Sequence, residues 1–234
     1  SLSPSKVSTF RDCALAFRLS AIDKIPEPPT IPAVKGTTVH RALELLFGLS
    51  PEERTSEAAV GLLRVALDEM TTNPEYVGLS LDDDAARAFA DDATTMVNRY
   101  FAIENPSLVQ PVGLELKMEA DLDGVLIRGI IDRLEINGDG DLIVTDYKTG
   151  RTPTVAGEQQ KLGGVHFYSL LCERVLGKRP VEVQLMYLGS KPEIIVARPT
   201  EQSTRGVEKR LSAVWNAVKR ACETDDFRPK PGPL

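Results

Sequence analysis

The sequence predicts an α/β protein with a mixed central sheet, flanked by helices and preceded by a helical N-terminal third. Three observations support this fold class. In residues 1–110 the apolar side chains recur mainly at helical spacing. Between Gly113 and Ala120 the pattern changes to strict alternation of apolar and polar side chains, which is typical of a half-buried strand. Beyond that strand, further strand patterns are interrupted by one long helical pattern.

The helical third contains four predicted helices. Their expected extents are residues 8–19, a helix that is capped by Thr37 or Thr38 and continues through Phe47, residues 51–70 and residues 81–103. A Pro-rich stretch at residues 25–32 is interpreted as a connector between the first two helices. Asn105 and Pro106 predict the end of the helical region, because the residue before a proline disfavours helix.

The rest of the chain predicts a strand meander, a helix, two more strands and a long last helix. The expected strands are residues 113–120, 124–136, 142–148, 181–188 and 193–197, and the expected helices are residues 158–176 and 200–221. Residues 137–141, with the sequence NGDGD, are a strong hairpin signal between the second and third strands.

The composition is that of an ordinary globular chain, since the 234 residues are 42% apolar and 26% charged, with a net charge of −6. No apolar run approaches the roughly 18 residues of a membrane span. The first residues also lack the basic and apolar segments of a secretory signal. Three widely spaced cysteines argue against a disulfide framework and favour a reducing, cytoplasmic location. The acidic balance argues weakly against a protein that coats nucleic acid non-specifically.

The predicted hairpin brings together residue types that carry chemistry. A turn centred on Asp139 places Asp132 opposite Asp146, and Lys148 lies on the same face two residues further along. The other side chains on this face are apolar, so we expect it to face the core. They are Ile130, Leu134, Ile136, Leu142 and Val144.

Two carboxylates about 5 Å apart repel each other on a mostly apolar face. They persist if they share a proton, if a cation neutralises them, or if Lys148 pairs with them. One interpretation is a structural Asp–Lys pair at the end of the sheet. The other is a magnesium site, in which carboxylate oxygens hold the metal and the lysine orients or activates a water beside a phosphate. The hairpin alone leaves both open.

At this point the residues resemble a known family. Residues 129–133 (GIIDR) and 146–150 (DYKTG) are similar to the motifs of the RecB/AddB-type branch of the PD-(D/E)XK nuclease superfamily. Residues 36–43 (GTTVHRAL) resemble that branch's helix with a metal-binding histidine, and residues 2–13 (LSPSKVSTFRDC) resemble its N-terminal segment. Together with Tyr168, the resemblance spans nearly the whole chain.

The resemblance implies roles for individual residues. Asp132 and Asp146 would be ligands of magnesium or manganese, with His40 as a third ligand and the backbone carbonyl of Tyr147 completing the set. Lys148 would act on the water and the scissile phosphate, so that Asp132, Asp146 and Lys148 form the catalytic set. Without the family, His40 is more readily explained as a packed helix histidine, because apolar residues follow it three and seven positions later.

Other residues are carried over as substrate contacts or as support for the site. Tyr168, Gln160 and Arg151 are expected to bind substrate, although core packing explains Tyr168 nearly as well. The family has a glutamine four residues before its tyrosine, where this chain has Gly164, so Gln160 either replaces it or the function is lost. Glu115 matches an acidic position of the family, but it alternates onto the polar face of its strand. A solvated glutamate is therefore the first expectation, and support for the metal ligands the second.

The cysteines depart from the family. Cys13 matches the first of four cysteines that bind an iron–sulfur cluster, but the other three would follow the last helix, and the chain stops at Leu234. Cys172 and Cys222 lie in helical patterns without Cys-x-x-Cys spacing, so they are expected to be small core residues. We therefore expect no intact cluster in this chain and a longer native protein.

The leading functional hypothesis is a metal-dependent DNA nuclease, acting as an exonuclease in DNA repair or recombination. The resemblance implies one PD-(D/E)XK nuclease-like domain, residues 1–234, in which residues 1–110 are mostly helical and residues 111–234 form the sheet-containing catalytic core. The implied partners are DNA, including single-stranded DNA, and helicase or repair proteins, with no membrane. The alternative is a non-catalytic DNA-binding or scaffold module that keeps the fold. A small-molecule phosphohydrolase ranks lower, because no Walker loop is present.

Overall fold

The computed structural model describes residues 1–153 and 155–230, with the backbone alone described for residues 155–163. The helices are α1 (Pro4–Asp12), α2 (Ala14–Phe17), α3 (Ile31–Phe47), α4 (Ser56–Met70), α5 (Pro74–Gly78), α6 (Asp83–Tyr100), α7 (Val155–Leu176) and α8 (Glu201–Thr224). The strands are β1 (Pro111–Leu122), β2 (Val125–Ile136), β3 (Leu142–Lys148), β4 (Glu182–Tyr187) and β5 (Glu193–Ala197). Short helical turns lie at Arg18–Ile22, Pro51–Glu53 and Pro106–Leu108.

The described strands form one mixed sheet in the order β1–β2–β3–β4–β5. Strands β3 and β4 are parallel, and the other neighbouring pairs are antiparallel. A parallel pair requires a crossover connection, which α7 supplies. Arg133 lies opposite Thr145 and Leu134 opposite Val144, so the predicted hairpin register is confirmed. The predicted α/β fold class with a mixed central sheet and flanking helices is confirmed as well.

Helices cover both faces of the sheet, and each interface forms an apolar core. Side chains of α7 and α8 pack on one face, and side chains of α3, α4 and α6 pack on the other around Tyr147 and Met186. The sequence predicted burial of one face of the hairpin, and two residues of that face differ from expectation. Ile130 and Ile136 are 43% and 47% exposed. Ile130 lines a cavity, and Ile136 is the last residue of β2 before the turn.

Helix α3 begins earlier than the sequence predicts. Its N-cap is Thr30, whose hydroxyl accepts a hydrogen bond from the amide of Ala33, and Pro32 lies in the first turn. Proline is well tolerated there because the first amides of a helix have no intrahelical partner. The predicted caps, Thr37 and Thr38, lie inside the helix, where the Thr38 hydroxyl instead donates to the carbonyl four residues earlier. The connector is therefore shorter than predicted.

The first predicted helix, residues 8–19, is divided in the structure. Cys13 adopts an extended backbone conformation (φ −159°) that ends α1 and caps α2. Of the two cysteines predicted to be core residues, Cys172 is buried as expected and Cys222 is exposed. Cys222 lies near the end of α8, on the side of that helix that faces away from the sheet. The prediction for Cys222 was therefore wrong.

The N-terminal segment is anchored beside β2. The amide of Leu2 donates to the carbonyl of Leu126 at 2.8 Å, and the amide of Arg128 donates to the carbonyl of Leu2 at 2.9 Å. Leu2 is fully buried in the core beneath α7 and α8. These contacts fix α1 alongside the central strands. None of the described helices is long and apolar enough to cross a membrane.

Candidate active site

Acidic side chains from three neighbouring strands meet a histidine from α3. Asp132 on β2 and Asp146 on β3 are buried, with 8% and 3% of their surfaces exposed, while Glu115 on β1 is half-buried. Nδ1 of His40 lies 3.5 Å from Oδ2 of Asp132, and its Nε2 lies 3.0 Å from the carbonyl oxygen of Tyr147. One ligand atom each from His40, Glu115 and Asp132 lies within 4.8 Å of the others. His40 and Asp132 are 92 positions apart in the sequence, and the fold brings them together.

The position of Glu115 differs from the expected solvated one. Its backbone has a φ of 44°, in the left-handed region that non-glycine residues rarely adopt. The neighbours Leu114 and Leu116 consequently pack in cores on opposite faces of the sheet, although unbroken alternation would place them on the same face. The break in alternation turns the Glu115 carboxylate toward Asp132. Strained backbone of this kind persists where the surrounding structure enforces it, and it is frequent at functional sites.

Asp146 faces a different set of partners. Its Oδ2 pairs with the ammonium of Lys148, and its Oδ1 accepts a hydrogen bond of 3.3 Å from the hydroxyl of Tyr168 on α7. Helix α7 comes this close because Gly129 has no side chain. A Cβ there would lie 2.8 Å from Cδ1 of Leu171 and 3.4 Å from the ring of Tyr168. Gly129, the glycine of the GIIDR motif, therefore allows α7 to pack close to the acidic residues.

The electrostatics of the cluster favour a cation. Burial raises the pKa of Asp146, the charge of Lys148 opposes that rise, and the charge of Asp132 adds to it. Burial and the neighbouring Asp132 also raise the pKa of Glu115. Burial alone would lower the pKa of His40, but its hydrogen bond to Asp132 and the surrounding carboxylates raise it overall. Carboxylates that repel in this way are stabilised by a bound cation.

The donor set fits a hard divalent metal. Carboxylate oxygens suit Mg²⁺ and Mn²⁺, and an imidazole nitrogen is accepted by Mn²⁺ and other transition ions. The three ligand atoms all lie within 4.8 Å of one another. Two ligands on opposite sides of a bound Mg²⁺ are roughly 4.2 Å apart, so the observed spacing is close to that of a metal site. His40, Glu115 and Asp132 could therefore hold such an ion together, with Asp146 beside them.

Two further glycines bring α3 and the strand ends together. A Cβ on Gly36, one turn before His40, would lie 3.1 Å from Oγ1 of Thr149. A Cβ on Gly189 would lie only 2.3 Å from the carbonyl oxygen of Gly150. The loop that follows Lys148 is therefore enclosed between two glycines, which sets its distance from His40.

A family comparison accounts for this arrangement. The model of the PD-(D/E)XK nuclease superfamily matches residues 1–234, which is the whole chain. The chain belongs to the PD-(D/E)XK nuclease superfamily. Residues 146–148 (DYK) have the Asp-x-Lys pattern in the name of that superfamily.

Two phage proteins are similar to this superfamily member in sequence. The Gene 69 protein of Mycobacterium phage D29 is 27% identical over 256 residues, covering 99% of this chain and 91% of that protein. The Gene 69 protein of Mycobacterium phage L5 is 30% identical over 122 residues, covering 51% of this chain and 39% of that protein. Among solved structures, a Eubacterium rectale protein named for an expected exonuclease activity has a TM-score of 0.62 at 11% identity. That match covers 99% of this chain and 90% of the other, and it supports the fold alone.

A cavity of about 910 Å³ opens in front of the acidic residues of this PD-(D/E)XK fold. Residues of α1, β1, β2, β3, α7 and α8 line it, and α1 packs against α7 and α8. The basic side chains on its surface are Arg11, Lys117, Arg128, Lys148 and Arg210.

Two predicted substrate contacts lie outside this cavity or outside the described side chains. Arg151 is exposed in the loop after β3. Gln160 belongs to the backbone of α7, but its side chain is outside the described residues. Whether Gln160 replaces the family glutamine therefore stays a prediction.

Cys13 lies away from the acidic residues, next to the segment that follows α8. Its Sγ accepts hydrogen bonds from the amide of Lys230 at 3.4 Å and from the amide of Ala16 at 3.5 Å. These amides, that of Lys230 first, lower the pKa of the thiol. The chain after the last helix therefore returns to the cysteine that the sequence singled out.

Proposed function

We propose that this superfamily member is a divalent-metal-dependent deoxyribonuclease of the RecB/AddB type, an exonuclease that hydrolyses phosphodiester bonds in DNA repair or recombination. The observation that carries the proposal is the buried Asp132–Asp146 pair, with Lys148 on one side and His40 and Glu115 on the other. The cofactor is Mg²⁺ or Mn²⁺. Cys13 is the candidate iron–sulfur ligand, and helicase or repair proteins in the cytoplasm are the expected partners.

The side chains divide the work between holding a cation and handling the phosphate. His40, Glu115, Asp132 and Asp146 hold the ion, which supplies Lewis-acid activation of water and phosphate when bound. The ammonium of Lys148 is paired with Asp146 and partly exposed to the cavity, so it can donate a hydrogen bond to a phosphate oxygen or to the attacking water. Tyr168 holds the other oxygen of Asp146 and thereby keeps this carboxylate in place.

DNA is the proposed substrate because basic side chains of α1, β1, β2, β3 and α8 line the cavity beside the acidic residues of the site. Phosphate contacts depend on the local field, so a basic channel can bind a strand even when the protein carries a net charge of −6. The exposed acidic residues Asp83 and Asp84 lie on α6, which packs on the other face of the sheet. A volume of about 910 Å³ is in the range of pockets for small ligands, which suits a single strand better than a duplex.

A cleavage assay with matched ion pairs tests the proposal. DNA degradation is measured with Mg²⁺ or Mn²⁺ for the wild type, Asp146→Asn and Lys148→Met. The controls are Asp141→Asn and Lys178→Met, which break an Asp–Lys pair of 3.0 Å at the distant hairpin turn. We expect the site variants to lose about 10²–10³-fold in rate or more, and the controls to retain wild-type rates.

Two results would contradict the proposal. Equal rates in all five proteins would remove the site assignment. A wild type that binds DNA stoichiometrically but does not cleave it with either metal would identify a non-catalytic DNA-binding module instead.

A further inference from the structure

Arg133 is fully buried on the sheet face opposite the candidate active site. Its Nε donates to Oε1 of Glu135 at 2.8 Å, and its two terminal nitrogens donate to the carboxylate of Glu104 at 2.6 and 2.8 Å. The guanidinium also lies 4.6 Å from the centre of the Phe47 ring. A buried arginine with this many partners is held in one orientation, because each bond is charge-assisted and water is excluded.

The same arginine is bonded to the strand that carries Asp146 and Lys148. It donates to the hydroxyl of Tyr147 at 2.9 Å and to Oγ1 of Thr145 at 3.2 Å. Both acceptors belong to β3, whereas Arg133 belongs to β2. Side-chain bonds on the far face therefore join the two strands.

Tyr147 extends this link to the near face through its backbone. Its amide donates to Oδ2 of Asp132 at 2.7 Å, and its carbonyl oxygen lies 3.0 Å from Nε2 of His40. The hydroxyl, the amide and the carbonyl of Tyr147 thus contact Arg133, Asp132 and His40, respectively. Because side chains alternate along a strand, fixing the ring on the far face also fixes the peptide groups on either side of it.

The link lies where ordinary strand pairing is weakest. The described backbone pairing of β2 with β3 runs from the Ile136–Leu142 pair to the Arg133–Thr145 pair. Asp132 and Asp146 lie one residue beyond that last pair. Their separation consequently depends on contacts other than the strand ladder.

We infer that Arg133 is a positioning residue, which acts through Tyr147 to hold Asp132, Asp146 and His40 at the spacing that a divalent cation requires. The inference rests on the proposed function. It goes beyond that function because the Arg133 side chain does not line the cavity and acts on the site only through Tyr147.

Tyr100 provides a matched control within the same buried cluster. Its hydroxyl bonds to Glu104 and lies 3.5 Å from Arg133, and its ring packs edge-on against that of Tyr147. The residue belongs to α6, however, and none of its described hydrogen bonds reaches His40, Glu115, Asp132 or Asp146. Tyr147→Phe and Tyr100→Phe each remove one buried hydroxyl from the cluster. A purely structural cluster predicts similar consequences for both, whereas a positioning role predicts that only Tyr147→Phe disturbs the site.

The experiment measures Mn²⁺ affinity by calorimetry, kcat and KM for single-stranded DNA, and thermal unfolding. For Tyr147→Phe we expect Mn²⁺ binding to weaken about 10-fold, as for other groups that orient metal ligands. Its kcat should fall while KM stays unchanged, and Tyr100→Phe should stay within about twofold of the wild type in Mn²⁺ affinity, kcat and KM. Should Tyr147→Phe fail to fold, Thr145→Val removes another acceptor of Arg133 on β3 and is expected to weaken Mn²⁺ binding in the same way.

The outcomes separate this inference from the proposed function. A wild type that neither binds Mn²⁺ nor cleaves DNA would remove both. A wild type that does so, together with Mn²⁺ affinities that are equal in Tyr147→Phe and Tyr100→Phe, would overturn the role of Arg133 alone.

Discussion

The amide of Tyr147 donates a hydrogen bond of 2.7 Å to Oδ2 of Asp132, so the backbone of one strand holds the carboxylate of the next. The same oxygen lies 3.5 Å from Nδ1 of His40. Asp132 is therefore oriented from two directions before any cation binds. Pre-oriented ligands of this kind reduce the reorganisation that metal binding would otherwise require.

Glu115 is expected to contribute to metal binding as strongly as the residues identified from motifs. Glu115→Gln keeps the shape of the side chain but removes its charge, so Mn²⁺ affinity measured by calorimetry should fall about 10-fold or more. The control is Glu119→Gln on the same strand, because Glu119 is exposed and paired with Arg128. Equal affinities in the two variants would exclude Glu115 from the metal site.

The hairpin could be predicted because its determinants are local. The turn sequence NGDGD fixes the register of β2 and β3, and that register alone places Asp132 opposite Asp146. The fold class followed from the change of hydrophobic period near residue 111. These features depend on residues close together in the chain, so periodicity and turn chemistry suffice.

The remaining features depend on distant residues. The strand containing Glu115 was expected to alternate without interruption, and its positive φ arises where three strands and α3 meet. The burial of Arg133 depends on Glu104, 29 positions earlier, which the sequence does not mark as its partner. One signal was nevertheless local: the Asp123–Gly124 turn sets the register of β1 and β2, with Leu114 opposite Arg133 and Leu116 opposite Ile131, and this register places Glu115 beside Asp132.

Gly189 is expected to tolerate no side chain. Gly189→Ala would place a Cβ 2.3 Å from the carbonyl oxygen of Gly150, so the loop after Lys148 must move. We expect the free energy of unfolding to fall by about 1–3 kcal/mol and DNA cleavage to fall with it.

Gly61→Ala is the control, and it should change the free energy of unfolding in the opposite direction. That site, exposed within α4, has nothing within 4 Å, so alanine should stabilise by about 0.5–1 kcal/mol. Urea denaturation measures both, and equal stabilities would contradict the prediction.

The metal-free protein should lose stability as the pH rises. The folded state raises the pKa of His40 above its ordinary value of 6.5, and it also raises the pKa of Glu115 and Asp146. The native state then binds more protons than the unfolded state, so the free energy of unfolding falls with increasing pH. The contribution of His40 is complete below pH 6.5 and is lost as the pH rises through its raised pKa.

Urea denaturation at pH 6.5 and at successively higher pH, with EDTA or with Mg²⁺, measures this effect. Mg²⁺ should reduce the loss, because it binds the deprotonated ligands of the folded state. His40→Gln isolates the histidine from the other titrating groups and should flatten the slope in EDTA. An unchanged slope in this variant would show that His40 does not carry the effect.

Arg210 is expected to contact a DNA phosphate, because it lines the cavity from α8 and forms no ion pair with the acidic side chains that the structure describes. Each phosphate contact to a single strand contributes about −0.7 to the slope of log K against log salt concentration. Arg210→Gln should therefore reduce the magnitude of that slope by about 0.7. The measurement uses an Asp146→Asn background, in which the DNA stays intact.

Arg87→Gln is the control, since Arg87 is exposed on α6 and paired with Asp84, on the far side of the sheet from the cavity. If both arginine variants give the same slope, the DNA strand does not contact Arg210, and the phosphates are bound elsewhere on the surface.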